Sequence, residues 1–188
     1  DLDFDWGQSG LQLTGQTRSA RGEIIKARAT APGPPRWAWP VKGLVAELQW
    51  QAFRLSRLNR FMQDTRTEGV SEGSFSFAFD DNRLEKINGH LSAQARLLQG
   101  QRDLGSQDLL AKISWNAGAF ECIAKISDAR DGRAELKLTS AREPDLSWPE
   151  SGQIELPVDD LSLAVLEPFL PHGVDVAGTI DSQAGGNW

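Results

Sequence analysis

Apolar and polar residues alternate with a period of two along most of this chain, which restricts those stretches to β-strands with one apolar face. Phe75, Phe77 and Phe79 alternate with Ser74, Ser76, Ala78 and Asp80. Leu91, Ala93, Ala95 and Leu97 alternate with Ser92, Gln94 and Arg96. Phe120, Cys122, Ala124 and Ile126 keep the same period, and Ala134, Leu136 and Leu138 alternate with Arg133, Glu135 and Lys137. Leu2, Phe4 and Trp6 open the chain this way; Leu44, Ala46, Leu48 and Trp50, then Ile154, Leu156 and Val158, continue it. Turn-forming residues sit between the runs. Asp131-Gly132 reads as a hairpin turn, and Asn88-Gly89 and Gly7 to Gly10 as similar punctuation. Pro32 to Pro40 reads as an extended connection, with Glu143 to Pro149 as its shorter counterpart.

The pattern also repeats. Trp39-Pro40-Val41-Lys42-Gly43 returns as Trp148-Pro149-Glu150-Ser151-Gly152, 109 positions later. The same step links Trp6 to Trp115 and Thr30 to Thr139. Self-similarity at a fixed step predicts stacked units that bury their apolar faces against neighbours. Residues 1–109 then form a first β unit and 110–188 a second, partial one, in a segment of a longer chain that begins here at Asp1. Two stretches leave the alternation. Phe53, Leu55, Leu58, Phe61 and Met62 fall at near-helical spacing, and Leu161, Leu163, Leu166, Phe169 and Leu170 match them at a step of 108, one residue having been lost. Each predicts a short helix that packs its apolar stripe on the strands, because so short a helix is unstable alone. Pro168 shortens or breaks the second, and strands follow at Gly69 to Phe79 and Gly173 to Ile180. Six strands about 4.8 Å apart advance such a sheet by roughly 29 Å.

Composition excludes several functions. The net charge is −6 and the sequence pI about 5.0, with no basic run, which argues against nucleic acid and against an anionic lipid surface. The single cysteine, Cys122, cannot form an internal disulfide and reads as a small buried hydrophobe. His90 and His172 are far apart and read as turn or edge residues, without partners at metal-ligand spacing. Asp80-Asp81, Asp159-Asp160, and Asp128 with Asp131 are the carboxylate pairs. Neighbours in a strand point to opposite faces, so they read as solvated turn residues and not as a glycosidase pair. With no nucleophile elbow, phosphate loop or dinucleotide fingerprint, the chain reads as a non-enzyme without metal or cofactor.

Seven Trp, eight Phe and many aliphatic residues occupy the alternating positions. A sheet needs its apolar face covered. Two short helices cannot cover a dozen strands. Either the sheet closes as a sandwich or barrel, or it bends into a trough whose inner wall stays apolar, a shape suited to a long apolar ligand.

One element occurs twice: Leu161-Ser162-Leu163-Ala164-Val165-Leu166-Glu167-Pro168-Phe169-Leu170-Pro171, then Gly173-Val174-Asp175-Val176-Ala177-Gly178-Thr179-Ile180, with Leu55, Leu58, Phe61, Met62, Val70, Gly73 and Phe75 as the first copy. It resembles the repeat of the TamB/AsmA-like superfamily, the inner-membrane components of translocation and assembly modules. The resemblance covers about a third of the chain directly, and the first copy has a longer turn. It implies an elongated, repeat-built, curved β-sheet with one short helix per repeat, folded like a taco around an apolar groove. It implies a periplasmic segment of a protein anchored in the inner membrane of a Gram-negative bacterium. It further implies phospholipid passage between inner and outer membranes, and outer-membrane protein assembly with an outer-membrane β-barrel partner bound through regions outside this segment. The groove would take phospholipid acyl chains or apolar polypeptide segments. On this sequence the wall candidates are Phe75, Phe77, Phe79, Leu91, Leu97, Phe120, Ile126, Leu136, Leu138, Ile154 and Leu156. The rival readings are a structural or adhesive β-array with a closed core and no lipid ligand, and a carbohydrate-active β-solenoid.

Overall fold

The structure is a computed structural model describing residues 2–7, 10–33, 42–61, 65–80, 83–100, 102–116, 119–140, 151–163 and 176–188. Its strands are β1 (Leu2–Gly7), β2 (Gly10–Arg18), β3 (Ile24–Pro32), β4 (Val45–Arg54), β5 (Thr65–Asp80), β6 (Arg83–Gln99), β7 (Arg102–Asn116), β8 (Ala119–Asp128), β9 (Arg133–Ser140), β10 (Gln153–Ser162) and β11 (Thr179–Asn187). A 3-10 helix, Leu55–Phe61, follows β4 on the way to β5. The eleven strands form one antiparallel sheet in chain order, so each strand pairs with the strands before and after it. Among the described residues β1 pairs only with β2 and β11 only with β10, and the sheet is open. The all-β expectation holds at this level.

Register converts the sequence alternation into two faces, because residues directly opposite in an antiparallel pair share a side. Ala46 faces Phe77, and Phe77 faces Ile87, which faces Trp115, which faces Phe120. Leu13 faces Ala29, and Cys122 faces Leu138, which faces Ile154. These residues lie on one apolar side. The other side carries Thr14, Arg28, Glu47 and Ser76 in one continuous row, then Asn88, Ser114, Glu121, Thr139 and Gln153 in the strands that follow. Val45 and Leu110 depart from that polarity, 48 % and 53 % exposed.

The pairing registers recur at the steps found in the sequence. Trp6 lies opposite Leu11, and Trp115 opposite Phe120. Gln12 lies opposite Thr30, and Glu121 opposite Thr139. The bulges recur too. Register shifts between Trp50 and Phe53 in β4 and between Val158 and Leu161 in β10, each with a non-glycine residue at positive φ, Ala52 (53°) and Asp160 (46°). The turns after β2 and β8 use one device: Ser19 Oγ accepts from the N–H of Arg21 and Glu23, and Asp128 Oδ1 from the N–H of Arg130 and Gly132. The side-chain oxygen stands in for a backbone acceptor, as Ser and Asp do in turns.

Three expectations are corrected. Asn88-Gly89 is no turn; it lies in the middle of β6, and His90 with it, its ring Nδ1 3.0 Å from Ser74 Oγ. Gly89 serves space and not reversal. It faces Phe75, and a Cβ there would come within 2.9 Å of both the Phe75 ring and the Ile113 side chain. Second, the helix after β4 does not dock through an apolar stripe. None of its residues is buried, and Leu58 and Phe61 are 40 % and 71 % exposed. Polar contacts hold it. Asn59 Oδ1 accepts the Thr67 N–H at 2.7 Å and its Nδ2 donates to the Thr67 carbonyl at 3.3 Å, so the side chain imitates a neighbouring strand. Thr67 Oγ1 donates to the Leu55 carbonyl, and Arg57 pairs with Glu23. Phe53 itself belongs to β4. Third, the final strand begins at Thr179. Leu161, next to last in β10, is buried and Leu163 follows that strand, while Leu166, Phe169 and Leu170, with His172 and most of both Pro-containing connections, lie outside the described residues.

Candidate functional site

All eleven wall candidates fall on the apolar side. In β5, Phe75, Phe77 and Phe79 form a ladder, with ring centroids 6.3 Å apart for the first pair and 5.5 Å for the second, the latter edge-to-face at 83°. Such geometry sets the positive edge of one ring against the negative face of the next. In β6, Leu91 faces Gly73 and Ala111, and Leu97 faces Thr67 and Gly105. In β8, Phe120 packs edge-to-face on Trp115 at 5.4 Å, and Ile126 faces Leu109 and Ala134. Leu136 faces Ala124, Leu138 faces Cys122 and Ile154, and Leu156 faces Ala184.

The side is half-covered. Phe120 is buried at 3 % exposure, Ile154 is exposed at 37 %, and the other candidates lie between these classes. Among the described residues no large side chain is fully buried. A closed two-layer core of this size would bury several. Cys122, also half-buried on this side, has its thiol pushed up by desolvation and stays protonated at neutral pH. Clefts of about 400 Å³ open between Lys26, Arg28, Glu47 and Gln49 and between Lys125, Arg133, Glu135 and Asp159. These lie on the polar side, so concavity alone does not mark the candidate wall; its chemistry does.

Several further residues of the apolar side are not among the eleven candidates. Leu48 and Trp50 in β4, Ile87 in β6, and Leu109, Ala111, Ile113 and Trp115 in β7 share the side. The signal was present, because Leu109 to Trp115 alternates with Leu110, Lys112 and Ser114, but Leu110 on the polar side blurs it. Gln107 continues the same side as a buried polar residue.

The charged groups are engaged elsewhere. Arg133 pairs with Asp159, Lys125 with Glu135, and Arg96 with Asp103 across the hairpin joining β6 to β7. Burial alone would raise the Asp128 carboxyl, but the N–H groups of Ser162, Arg130 and Gly132 outweigh it and hold the group below the usual carboxylate value. Asp160 sits in the bulge of β10. Among the described residues no three His, Cys, Asp or Glu side chains come together as a metal site, and no helix is long and apolar enough to cross a membrane. Compared with protein-family models, with curated proteins and with solved structures, the chain gives no match in any of the three.

Proposed function

We propose that the apolar side is a lipid-facing wall, and that this chain is a periplasmic, repeat-built segment of a TamB/AsmA-like protein that carries phospholipid acyl chains between the inner and outer membranes. One observation supports this best. Eleven positions chosen for an apolar wall share one side of an open sheet, and among the described residues no large side chain is fully buried. An uncovered apolar surface much larger than about 300–600 Å² is rare in a protein that does not use it. Most of the candidates are half-buried, which suits a surface that a ligand can reach. The recurring registers and turns, at a step of 109 residues, and the recurring bulges, at a step of 108, support two related units. In this reading hydrocarbon slides along the wall while head groups stay in water, and no residue does covalent chemistry. The outer-membrane β-barrel partner of such proteins would bind elsewhere on a longer chain.

Photo-crosslinking residues placed singly along β5 in living cells test it. Lipid adducts are expected at positions 75, 77 and 79 and not at 74, 76 and 78. Adducts at neither set, or at both equally, would remove the lipid wall.

A further inference from the structure

A cleft of about 900 Å³ opens over β7 to β11, more than twice the size of either cleft described above. A row of polar side chains crosses it. Ser114 lies opposite Glu121, Glu121 opposite Thr139, Thr139 opposite Gln153, and Gln153 opposite Asn187. All five line the cleft. Glu121, Gln153 and Asn187 are exposed and the other two half-buried, so a ligand can reach them. In the cleft beside them Arg133 and Lys125 are tied up in ion pairs. Here Glu121 is the one charged side chain among the described lining residues, and Glu121, Thr139, Gln153 and Asn187 spend no side-chain hydrogen bond on the protein. Trp188 lines the same cleft. Its N–H and carbonyl both pair with Gly152 at 3.2 Å, and a Cβ on Gly152 would collide with the indole ring, so glycine seats the ring beside the row. The fold does not demand this row. In the first unit the same registers hold Asp5, Gln12, Thr30, Val45 and Ala78. Strands that accept Val45 and Ala78 there carry two amides, Gln153 and Asn187, here.

We infer that this cleft binds a linear, neutral oligosaccharide, independently of what the apolar side carries. Side-chain amides and hydroxyls both donate and accept, as sugar hydroxyls do, and the Glu121 carboxylate accepts from two hydroxyls at once. The negative face of an indole ring suits the C–H face of a pyranose. With no cation among its described lining residues and one carboxylate, the cleft repels phosphates and acidic sugars. The row advances by one polar side chain per strand. Four steps of about 4.8 Å carry it roughly 19 Å, the span of an extended tetrasaccharide. The sugar chain therefore runs across the strands, one unit to each step.

Calorimetric titration of the full 188-residue chain with cellotetraose and with chitotetraose tests this. Saturable binding of at least one is expected, with tetragalacturonate at least tenfold weaker because it carries four carboxylates. The double variant Gln153→Val, Asn187→Ala installs the residues that the first unit holds at the same register, so it should keep the wild-type circular dichroism and thermal midpoint. It should bind the sugar at least tenfold more weakly, the worth of two lost hydrogen bonds. Its affinity for a fluorescent acyl probe should be unchanged, because that probe reads the opposite side of the sheet. Binding of neither sugar, or undiminished binding by the folded double variant, overturns the inference. So does displacement of the sugar by a Gly-Ser peptide at equal concentration, which would make the cleft a polypeptide site. Loss of sugar and acyl probe together would place both on one surface and overturn the separate site.

Discussion

The carboxylate of Glu23 accepts the backbone N–H of Arg54 at 3.1 Å, where β4 passes into the 3-10 helix. The same group takes Arg57 through Nε at 2.9 Å and Nη2 at 2.5 Å. At the end of β10 the N–H of Ser162 is capped in the same way, at 3.0 Å, by Asp128. The two carboxylates come from different places in matching turns. Glu23 corresponds to Gly132, and Asp128 to Ser19. Where the carboxylate stands at the start of the turn, glycine stands at its end, and a Cβ there would lie 2.3 Å from the Asp160 carbonyl oxygen and 2.9 Å from Asp128 Oδ2. In both units the N–H just past the bulge is thus capped by a carboxylate from the preceding turn, supplied from its end in one and its start in the other.

The Glu23 contacts predict acid sensitivity. Hydrogen bonds from Arg57, then from the Arg54 N–H, hold its carboxyl down from an ordinary 4.5 to about 2. A carboxylate with a lowered folded value stabilises above its unfolded value and loses that contribution as pH falls. The wild type should therefore lose urea resistance between pH 4.5 and about 2 more steeply than Glu23→Gln. The variant should be weaker at pH 7, and the two curves should converge near the bottom of that range. Parallel curves throughout would show that the contact contributes nothing.

Ala52 sits at φ 53°, in the left-handed region, without the local hydrogen bonding that lets Asp or Asn rest there. Ala52→Gly should relieve that strain and raise stability by about 0.5–1 kcal/mol, net of the greater freedom of glycine in the unfolded chain. Ala52→Val should lower it by a larger amount. Chemical denaturation of both variants checks the sign, and a loss on Ala52→Gly would contradict the bulge geometry.

Gly89 and Phe75 predict a coupled pair. A methyl at position 89 meets the Phe75 ring and Ile113 at 2.9 Å, closer than real side chains approach. Gly89→Ala should cost about 1–3 kcal/mol, in the range of overpacked sites. Phe75→Leu frees the space on one side, so the double variant should cost less than the sum, with a coupling of at least about 0.5 kcal/mol in a double-mutant cycle. Simple additivity would mean that Gly89 is needed for its backbone and not for room.

The strands were legible because alternation is a local record of which side faces away from water. Phe75, Phe77 and Phe79 needed nothing beyond their spacing. Register was not legible residue by residue, yet the equal step between Trp6 and Trp115 and between Thr30 and Thr139 mirrors pairing that the sheet later shows. Gly89 misled because glycine after asparagine is the signature of a tight turn, and nothing local says that a phenylalanine ring lies across from it. The 3-10 helix misled in the opposite way. Leu55, Leu58 and Phe61 have amphipathic spacing, but the anchor is Asn59 on Thr67, eight residues on, a contact between polar side chain and strand backbone that periodicity does not encode.

Charge on the wall separates an open surface from a closed core. Phe77 lies between Ala46 and Ile87, touching the Phe75 and Phe79 rings, and is half-buried. In a dry core Phe77→Asp would leave an unpaired carboxylate, an error that belongs with the exceptional losses of more than about 4–5 kcal/mol. On an open wall the carboxylate reaches water, and the loss should stay below about 2 kcal/mol, as for a partly exposed apolar side chain. Leu136→Arg, facing Ala124 in β8, should behave alike, its long stem letting the guanidinium reach solvent. Both variants should remain folded by circular dichroism yet lose acyl-probe binding at least tenfold, because a charge in the path is desolvated by any hydrocarbon that covers it. Folded variants that bind the probe like the wild type would place the ligand elsewhere, and variants that unfold outright would show the wall to be a core.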